Sequence, residues 1–186
     1  MNPPRPPKET LQVLISAAEI SARISALAND IAQKMPPDLM IVSLLRGSFV
    51  FTSDLIRALH TVGEPYHTRP QVDFMTLSSY GKGTTSSGII QVARDLTEEV
   101  EGRHVLIVDD ILESGRTLSY ARDLINARGA STVKIAVLLE KPGKRKVDIQ
   151  ADFVGFIIPD KFVVGYGLDY ANYYRELPYV GVVAMG

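Results

Sequence analysis

Two adjacent carboxylates, Asp109 and Asp110, come directly after an apolar stretch and before a short polar turn in HVLIVDDILESGRTL. In that turn Ser114 and Gly115 can direct backbone N–H groups into one concavity, and a helix expected from about Thr117 adds its positive end. Such a turn suits a phosphate, whereas neighbouring carboxylates accept hydrogen bonds from vicinal hydroxyls. The residues predict a site for a ribose that carries a 5-phosphate, with an ordinary capped strand-to-helix turn as the alternative.

The turn differs from the two best-known nucleotide-binding loops. It has neither the Gly-Lys-Ser/Thr of a Walker A loop nor the G-x-G-x-x-G of a dinucleotide-binding fold. Its side chains add donors of their own, namely the hydroxyls of Ser114 and Thr117 and the guanidinium of Arg116. The pattern therefore argues against mononucleotide kinases and dehydrogenases.

The elements that must position this turn follow from hydrophobic periodicity. Ser16 and Glu19 have the spacing of a capping box, which predicts a helix that ends at Pro36-Pro37. The first ten residues are rich in proline and predict an extended or mobile arm. Further along, the patterns predict a buried strand over 39–45, a helix over 49–60, strands over 71–80 and 89–96, a strand-turn-helix unit over 104–129, a buried strand over 132–141, and short strands with a possible helical turn over 152–185.

Strands that alternate with helices indicate the fold class. They predict an α/β protein with a central, mostly parallel, twisted sheet flanked by helices. Sheets of this kind bind ligands at the carboxyl ends of their strands. Asp109 and Asp110 are predicted to lie at such an end.

Composition limits the other functions. The chain has 186 residues, 46% of them hydrophobic, and its formal net charge of -1 gives no overall basic surface for nucleic acid. It has no cysteine, no apolar signal-peptide core and no apolar run near the ~20 residues of a membrane span. We therefore expect a single cytoplasmic domain that binds neither nucleic acid nor membrane.

The stretch VLIVDDILESGRTL closely resembles the phosphoribosyl-diphosphate (PRPP) signature of type I phosphoribosyltransferases. Three further stretches, SLLRGSFVF, LSSYGKGTTSSG and IPDKFVVGYGLDYANYYRELPYVGVV, are similar to the hypoxanthine-guanine branch of that family. The resemblance runs from Leu14 onward. It implies one domain over 1–186, with a core of about 36–158 and a small hood built from the terminal segments, about 1–16 and 159–186.

The resemblance implies a role for each matching position around PRPP. Asp109 and Asp110 hold the ribose hydroxyls, the turn 113–117 cradles the 5-phosphate, and the segment 45–47 is the pyrophosphate loop. A non-proline cis peptide bond is common in that loop, and Arg46–Gly47 is one position for it. The full PRPP-binding set comprises Arg46, Gly47, Asp109, Asp110, Leu112, Glu113, Ser114, Gly115, Arg116, Thr117 and Arg175.

The same resemblance implies a purine site and a metal. Lys161 matches the lysine that donates to the 6-oxo group, Phe162 the stacking aromatic residue and Val163 a backbone contact. A lysine donor favours a 6-oxopurine and disfavours adenine. Lys141 matches a lysine near the base and ribose, and Asp169 an aspartate associated with metal and base. Mg²⁺ is the implied cofactor, with Asp109, Asp110 and Asp169 as its carboxylates.

One residue departs from the family pattern. The last acidic residue of the signature, usually an aspartate credited with receiving the N7 proton of the base, is Glu113 here. The extra methylene moves the carboxylate by about a bond length, and errors near 1 Å cost about 100-fold in rate. Our hypothesis is that Glu113 still acts as the general base. The alternative is a structural partner of the turn.

The implied reaction is transfer of the phosphoribosyl group of PRPP to N9 of hypoxanthine or guanine, which yields a nucleotide and pyrophosphate. A lid formed by residues 79–88, with Ser79 and Tyr80 closing on the site, would exclude water. A xanthine-preferring enzyme and a nucleotide-binding regulator are the alternatives. The basic cluster PGKRKVD is interpreted as a solvated turn, and a homodimer or homotetramer is expected.

Overall fold

The computed structural model describes residues 11–79 and 90–183. In chain order the elements are β1 (Leu11–Ile15), α1 (Ala17–Lys34), β2 (Met40–Leu45), α2 (Phe49–Thr61), β3 (Gln71–Ser79), β4 (Ile90–Arg94), β5 (His104–Leu112), α3 (Arg116–Ala127), β6 (Thr132–Glu140), β7 (Phe153–Ile157), β8 (Val163–Val164) and β9 (Val180–Val183). No helix in these two ranges is long and apolar enough to cross a membrane.

Six strands form the main sheet, in the order β4-β3-β2-β5-β6-β7. Every neighbouring pair is parallel except β3 and β4, which are antiparallel. Alternate residues of β5 enter different cores: Leu106 packs with α1 and α2 on one face, and Ile107 packs with α3 on the other. The predicted α/β class with a mostly parallel sheet flanked by helices is therefore confirmed.

A second sheet joins the two ends of the described chain. Its order is β1-β9-β8, and both pairs are antiparallel. The sequence predicted no strand at Leu11–Ile15, because this segment pairs with residues 180–183, far away along the chain. The possible helical turn in the C-terminal segment is not found among residues 158–183, where turns and isolated bridges connect the short strands.

Local signals place the helix boundaries well. The Ser16 hydroxyl accepts from the Glu19 backbone N–H at 3.3 Å, and the Glu19 carboxylate accepts from the Ser16 N–H at 2.8 Å, so the predicted capping box is present. On the same helix Arg23 donates to the carbonyl oxygens of Val154 and Gly155 at the edge strand β7. That contact covers part of an edge that would otherwise be open to pairing.

Asp73 ties β3 to the connection before β5. Its carboxylate, only 4% exposed, accepts hydrogen bonds from the N–H groups of Phe74, Thr97 and Glu98 and from the Thr97 hydroxyl. Burial by itself raises the pKa of Asp73, but these donors together outweigh burial and lower the pKa below its ordinary value of 3.8.

We expect Asp73→Asn to lower the free energy of unfolding at neutral pH by about 1–3 kcal/mol, because the amide brings donors to N–H groups that need acceptors. A depressed pKa stabilises the fold above the unfolded-state pKa, and this contribution is lost as the pH falls through the folded-state value. Urea unfolding at pH 7 and at pH 3 measures the difference between variant and wild type. It should shrink at the lower pH, and a difference that is equal at both would contradict the assignment.

Candidate active site

A cavity of about 310 Å³ opens at the carboxyl ends of β2 and β5. Its walls are the loop after β2, the end of β5 and the turn that leads into α3. The lining residues are Leu44, Leu45, Arg46, Gly47, Asp109, Asp110, Ile111, Leu112, Glu113, Ser114, Gly115, Thr117 and Leu118. Most of the residues that the sequence assigned to PRPP therefore meet in one place.

Asp109 and Asp110 lie three and two residues before the end of β5, since the strand continues to Leu112. The Asp109 carboxylate accepts from the Asp110 N–H at 3.0 Å. Burial and then the neighbouring Asp110 charge raise the pKa of Asp109 well above its ordinary value. Burial also raises the pKa of Asp110, although the Ile111 N–H and the charge of Arg175 partly offset it. Such a pair gains from hydroxyl donors or a cation that restores the lost solvation.

The turn after β5 ends at Gly115, which is the N-cap of α3 and has a left-handed backbone with φ of 80°. A Cβ at this position would lie 2.4 Å from the Ile149 side chain, so no other residue fits. Helix α3 therefore begins with its N-terminal N–H groups beside the cavity. Thr117 lines the cavity, whereas the exposed Arg116 side chain is not part of its wall.

Three buried, hydrogen-bonded hydroxyls stabilise the loop after β2. The Ser43 hydroxyl lies 2.8 Å from both the Ser48 and Thr52 hydroxyls, and Ser48 also donates to the Leu44 carbonyl at 2.5 Å. The cis peptide bond of this loop joins Leu45 and Arg46, one bond before the Arg46–Gly47 position considered from the sequence. The network fixes both ends of the loop. No sequence pattern predicts this network, although its small polar residues flank the LLRG motif.

Glu113 projects into the cavity wall opposite a lysine. Its Oε2 lies 3.4 Å from Nζ of Lys141, whose side chain is 8% exposed against 45% for Glu113. Lys141 follows β6, and its backbone N–H donates to the Leu112 carbonyl at 3.0 Å. The half-exposed carboxylate can reach a ligand in the cavity, while the lysine is held behind it.

The predicted purine segment lies in the C-terminal region. Lys161 and Phe162 are exposed, and the rings of Phe162 and Tyr170 meet edge to face with their centroids 5.7 Å apart. Val163 is buried in β8. None of these three side chains lines the cavity described above, so the structure does not bring them into one wall with the predicted PRPP residues.

Arg175 and Asp169 form an ion pair, with Arg175 Nη2 2.7 Å from Asp169 Oδ1. Arg175 also donates to the Gly167 carbonyl at 2.6 Å, and Asp169 accepts from the Asn172 N–H. Gly167 in turn lies against the loop after β2, because a Cβ there would meet the Gly47 carbonyl at 2.2 Å. The C-terminal segment is thus packed directly onto that loop.

The predicted metal carboxylates do not form one cluster. Among the described residues no three acidic, histidine or cysteine side chains are grouped so as to hold an ion. Asp109 and Asp110 remain together, whereas Asp169 is engaged by Arg175. Two desolvated carboxylates beside a cavity fit Mg²⁺, which takes few protein ligands and completes its shell with substrate oxygens and water.

Of the predicted lid, Tyr80 and residues 81–88 lie outside the described residues, and Ser79 ends β3.

Comparisons with known proteins identify the family. A model described as a phosphoribosyl transferase domain matches residues 10–171. The chain belongs to the phosphoribosyltransferase family. A hypoxanthine phosphoribosyltransferase of Salmonella typhimurium is 46% identical over 181 residues, which cover 96% of this chain and 98% of the relative.

Solved phosphoribosyltransferases share the whole fold. A hypoxanthine phosphoribosyltransferase of Staphylococcus aureus matches with a TM-score of 0.86 and 41% identity, over 94% of this chain and 92% of its own. A glutamic acid mutant from the analysis of an invariant aspartic acid in HPRTs matches with a TM-score of 0.85 and 40% identity, over 94% and 96% of the two chains. The predicted family and the prediction of a transferase enzyme are confirmed.

Proposed function

We propose that this phosphoribosyltransferase is a purine salvage enzyme that transfers the phosphoribosyl group of PRPP to N9 of hypoxanthine or guanine, giving IMP or GMP and pyrophosphate. One observation carries the proposal: a single cavity brings together the carboxylate pair, the turn before α3 and the loop after β2. These three features suit the ribose, the 5-phosphate and the pyrophosphate of one PRPP molecule. Relatives that share almost the full length are named hypoxanthine phosphoribosyltransferase.

The substrate is held by groups of different chemistry. Asp109 and Asp110 accept hydrogen bonds from the ribose hydroxyls, and the amides around Ser114 and Gly115 bind the 5-phosphate at the positive end of α3. Leu112 and Thr117 complete this wall. Arg46 and Gly47, which line the same cavity, bind the pyrophosphate.

Bond breaking at the anomeric carbon runs ahead of bond making, through an oxocarbenium-like state, so the negative charge of the departing pyrophosphate must be neutralised. Arg46 and Arg175 supply positive charge from the chain. The family generally uses a divalent metal ion. We propose Mg²⁺ held by Asp109 and Asp110 with Asp169 nearby, and this ion would add charge neutralisation at the pyrophosphate when bound.

The purine is recognised by the C-terminal segment. Lys161 donates to the 6-oxo group, Phe162 stacks on the ring and Val163 contributes a backbone contact. Glu113 receives the N7 proton as general base, and Lys141 positions its carboxylate across the 3.4 Å contact. A 6-amino group would place a donor against the Lys161 ammonium, so adenine is rejected.

Three further predictions from the sequence are retained as proposals. The cysteine-free chain is assigned to the cytoplasm, its near-neutral charge argues against nucleic-acid binding, and a homodimer or homotetramer is expected. Light scattering after size-exclusion chromatography measures the order of the oligomer.

We expect purified protein with PRPP and Mg²⁺ to convert hypoxanthine and guanine to nucleotides and to leave adenine at least about 10⁴-fold slower in kcat/KM, since a site built to hydrogen-bond one substrate group rejects an analogue without it by that order. Absorbance assays with hypoxanthine, guanine, xanthine and adenine measure this directly. Turnover of adenine would contradict the Lys161 assignment. Turnover of xanthine above the other bases would make the enzyme xanthine-preferring, and PRPP binding without any turnover would favour a regulator.

A further inference from the structure

The basic turn after β6 is exposed, as its composition predicts, at every residue but one. Residues 142–146 read PGKRK, and within them Arg145 points inward with 22% of its side chain exposed. Its guanidinium is spread over five acceptors. Nη1 donates to the carbonyls of Leu112 at 3.1 Å, Glu113 at 2.8 Å and Lys141 at 3.4 Å. Nε donates to the Ile149 carbonyl at 3.3 Å, and Nη2 donates to the Glu140 carboxylate at 2.6 Å.

Two of these acceptors belong to the turn that faces the cavity. The next carbonyl along that turn, of Ser114, accepts from the backbone N–H of Lys146 at 2.9 Å. Three successive carbonyls, of Leu112, Glu113 and Ser114, are therefore all drawn toward the basic turn. Charge-assisted donation by a planar guanidinium makes the first two contacts stronger and more directional than neutral hydrogen bonds.

The direction of the carbonyls sets the direction of the amides. In a planar trans peptide unit the C=O and the N–H point to opposite sides. When the three carbonyls point to the basic turn, the N–H groups of Glu113, Ser114 and Gly115 point away from it. Glu113, Ser114 and Gly115 also line the cavity, so this is the side on which a ligand would lie.

We propose that Arg145 is a positioning residue, which holds the backbone of the turn 112–115 so that its amides converge on the 5-phosphate of the substrate. This inference rests on the proposed function, because it concerns the same site. Arg145 itself does not line the cavity and acts through the backbone of Glu113 and Ser114. Its contact to the Lys141 carbonyl fixes the other side of the Glu113–Lys141 pair as well.

Arg128 provides the matched control. Its guanidinium makes a two-pronged ion pair with Asp95, at 2.8 and 2.7 Å, and touches no part of the turn. Arg128→Met and Arg145→Met both remove one paired guanidinium and leave a similar apolar chain. The loss of a paired guanidinium as such would weaken PRPP binding in both variants, whereas loss of positioning affects Arg145→Met alone.

The test is calorimetric titration of PRPP with Mg²⁺ into the wild type, Arg145→Met, Arg145→Lys and Arg128→Met. We expect Kd for PRPP to rise about 100-fold in Arg145→Met, as for a misplacement near 1 Å, and about 10-fold in Arg145→Lys, which keeps the charge without the fork. Arg128→Met should stay within about twofold. In steady-state assays KM for PRPP should rise in the same order while KM for hypoxanthine changes less than about threefold.

A PRPP Kd within threefold of the wild type in folded Arg145→Met overturns the inference, and so does an equal loss in Arg128→Met. If Arg145→Met does not fold, Arg145→Lys decides, and an unchanged Kd there overturns it. Wild-type protein that binds PRPP without transferring it overturns the proposed function and leaves the role of Arg145 standing. Wild-type protein that does not bind PRPP overturns both.

Discussion

Replacing Glu113 by glutamine is expected to lower kcat for hypoxanthine by about 10²–10⁴-fold, the usual contribution of a positioned general base. PRPP binding should change little, because the amide keeps the size of the side chain and the backbone of the turn. Pre-steady-state and steady-state nucleotide formation, with PRPP saturating, measures the loss in the chemical step.

The geometry explains why the expected effect is on turnover rather than on binding. Glu113 borders the cavity and almost half of its side chain is exposed, so its carboxylate is accessible to a base bound there. Lys141 lies 3.4 Å behind the carboxylate and, being 8% exposed, has little freedom to move elsewhere. An ammonium in this position holds the acceptor carboxylate in place, whereas the glutamine amide cannot take a proton.

Two further variants serve as controls for Glu113→Gln. Glu99→Gln removes the same charge from an exposed site in the connection before β5, at the opposite end of that strand from the cavity, and is expected to leave kcat unchanged. Glu113→Asp restores the residue that the family pattern carries and should retain turnover within about 10-fold, since the acceptor is kept. Unchanged turnover in Glu113→Gln would place the proton acceptor elsewhere and leave Glu113 with a structural role.

The parts of the site that the sequence predicts are those built from contiguous residues. Asp109, Asp110 and the turn that follows occur within one strand-turn-helix unit, whose apolar pattern and small residues are local signals. The capping box at Ser16 is likewise local and is present as predicted. The sequence therefore predicts structure where the interacting residues lie within about one helix or strand of each other along the chain.

The parts that the sequence does not predict depend on contacts between distant segments. β1 is defined by its pairing with β9, and the buried hydroxyls of Ser43 and Thr52 meet only because α2 folds back over β2. Arg145 gives the sharpest example. In the sequence it is one of three cations in a charged turn, and nothing in the composition distinguishes it from Lys144, which is exposed and pairs with Asp160 on the surface. Side-chain direction is set by the tertiary fold, which brings the Leu112 and Glu113 carbonyls to Arg145.

The second large effect is expected for Gly47→Ala. The variant should lower kcat/KM for PRPP by at least about 100-fold, because it displaces a group that must sit within 1 Å of its productive position. A Cβ on Gly47 would lie 1.5 Å from Oδ2 and 2.6 Å from Cγ of Asp110, which no packing tolerates. Something must move, and the end of a short side chain moves more easily than the loop.

The displaced group is then the Asp110 carboxylate, one of the two proposed to hold the ribose. The loop has little freedom to yield instead, since the Ser43–Ser48–Thr52 hydroxyls brace it from below and Gly167 lies against the Gly47 carbonyl. We therefore expect a loss of PRPP affinity that is much larger than the loss of stability. Calorimetric titration of PRPP and thermal unfolding of the same preparation measure the two separately.

Gly63 offers a matched control for that variant. It lies just beyond α2, and a Cβ there would meet nothing within 4 Å, so Gly63→Ala should leave both PRPP binding and the melting temperature close to the wild type. If Gly47→Ala bound PRPP as tightly as Gly63→Ala does, Asp110 could not be a ribose ligand in its present position. If both PRPP binding and the fold were lost together, the close approach of Gly47 to Asp110 would serve the packing of the loop rather than the placement of the carboxylate.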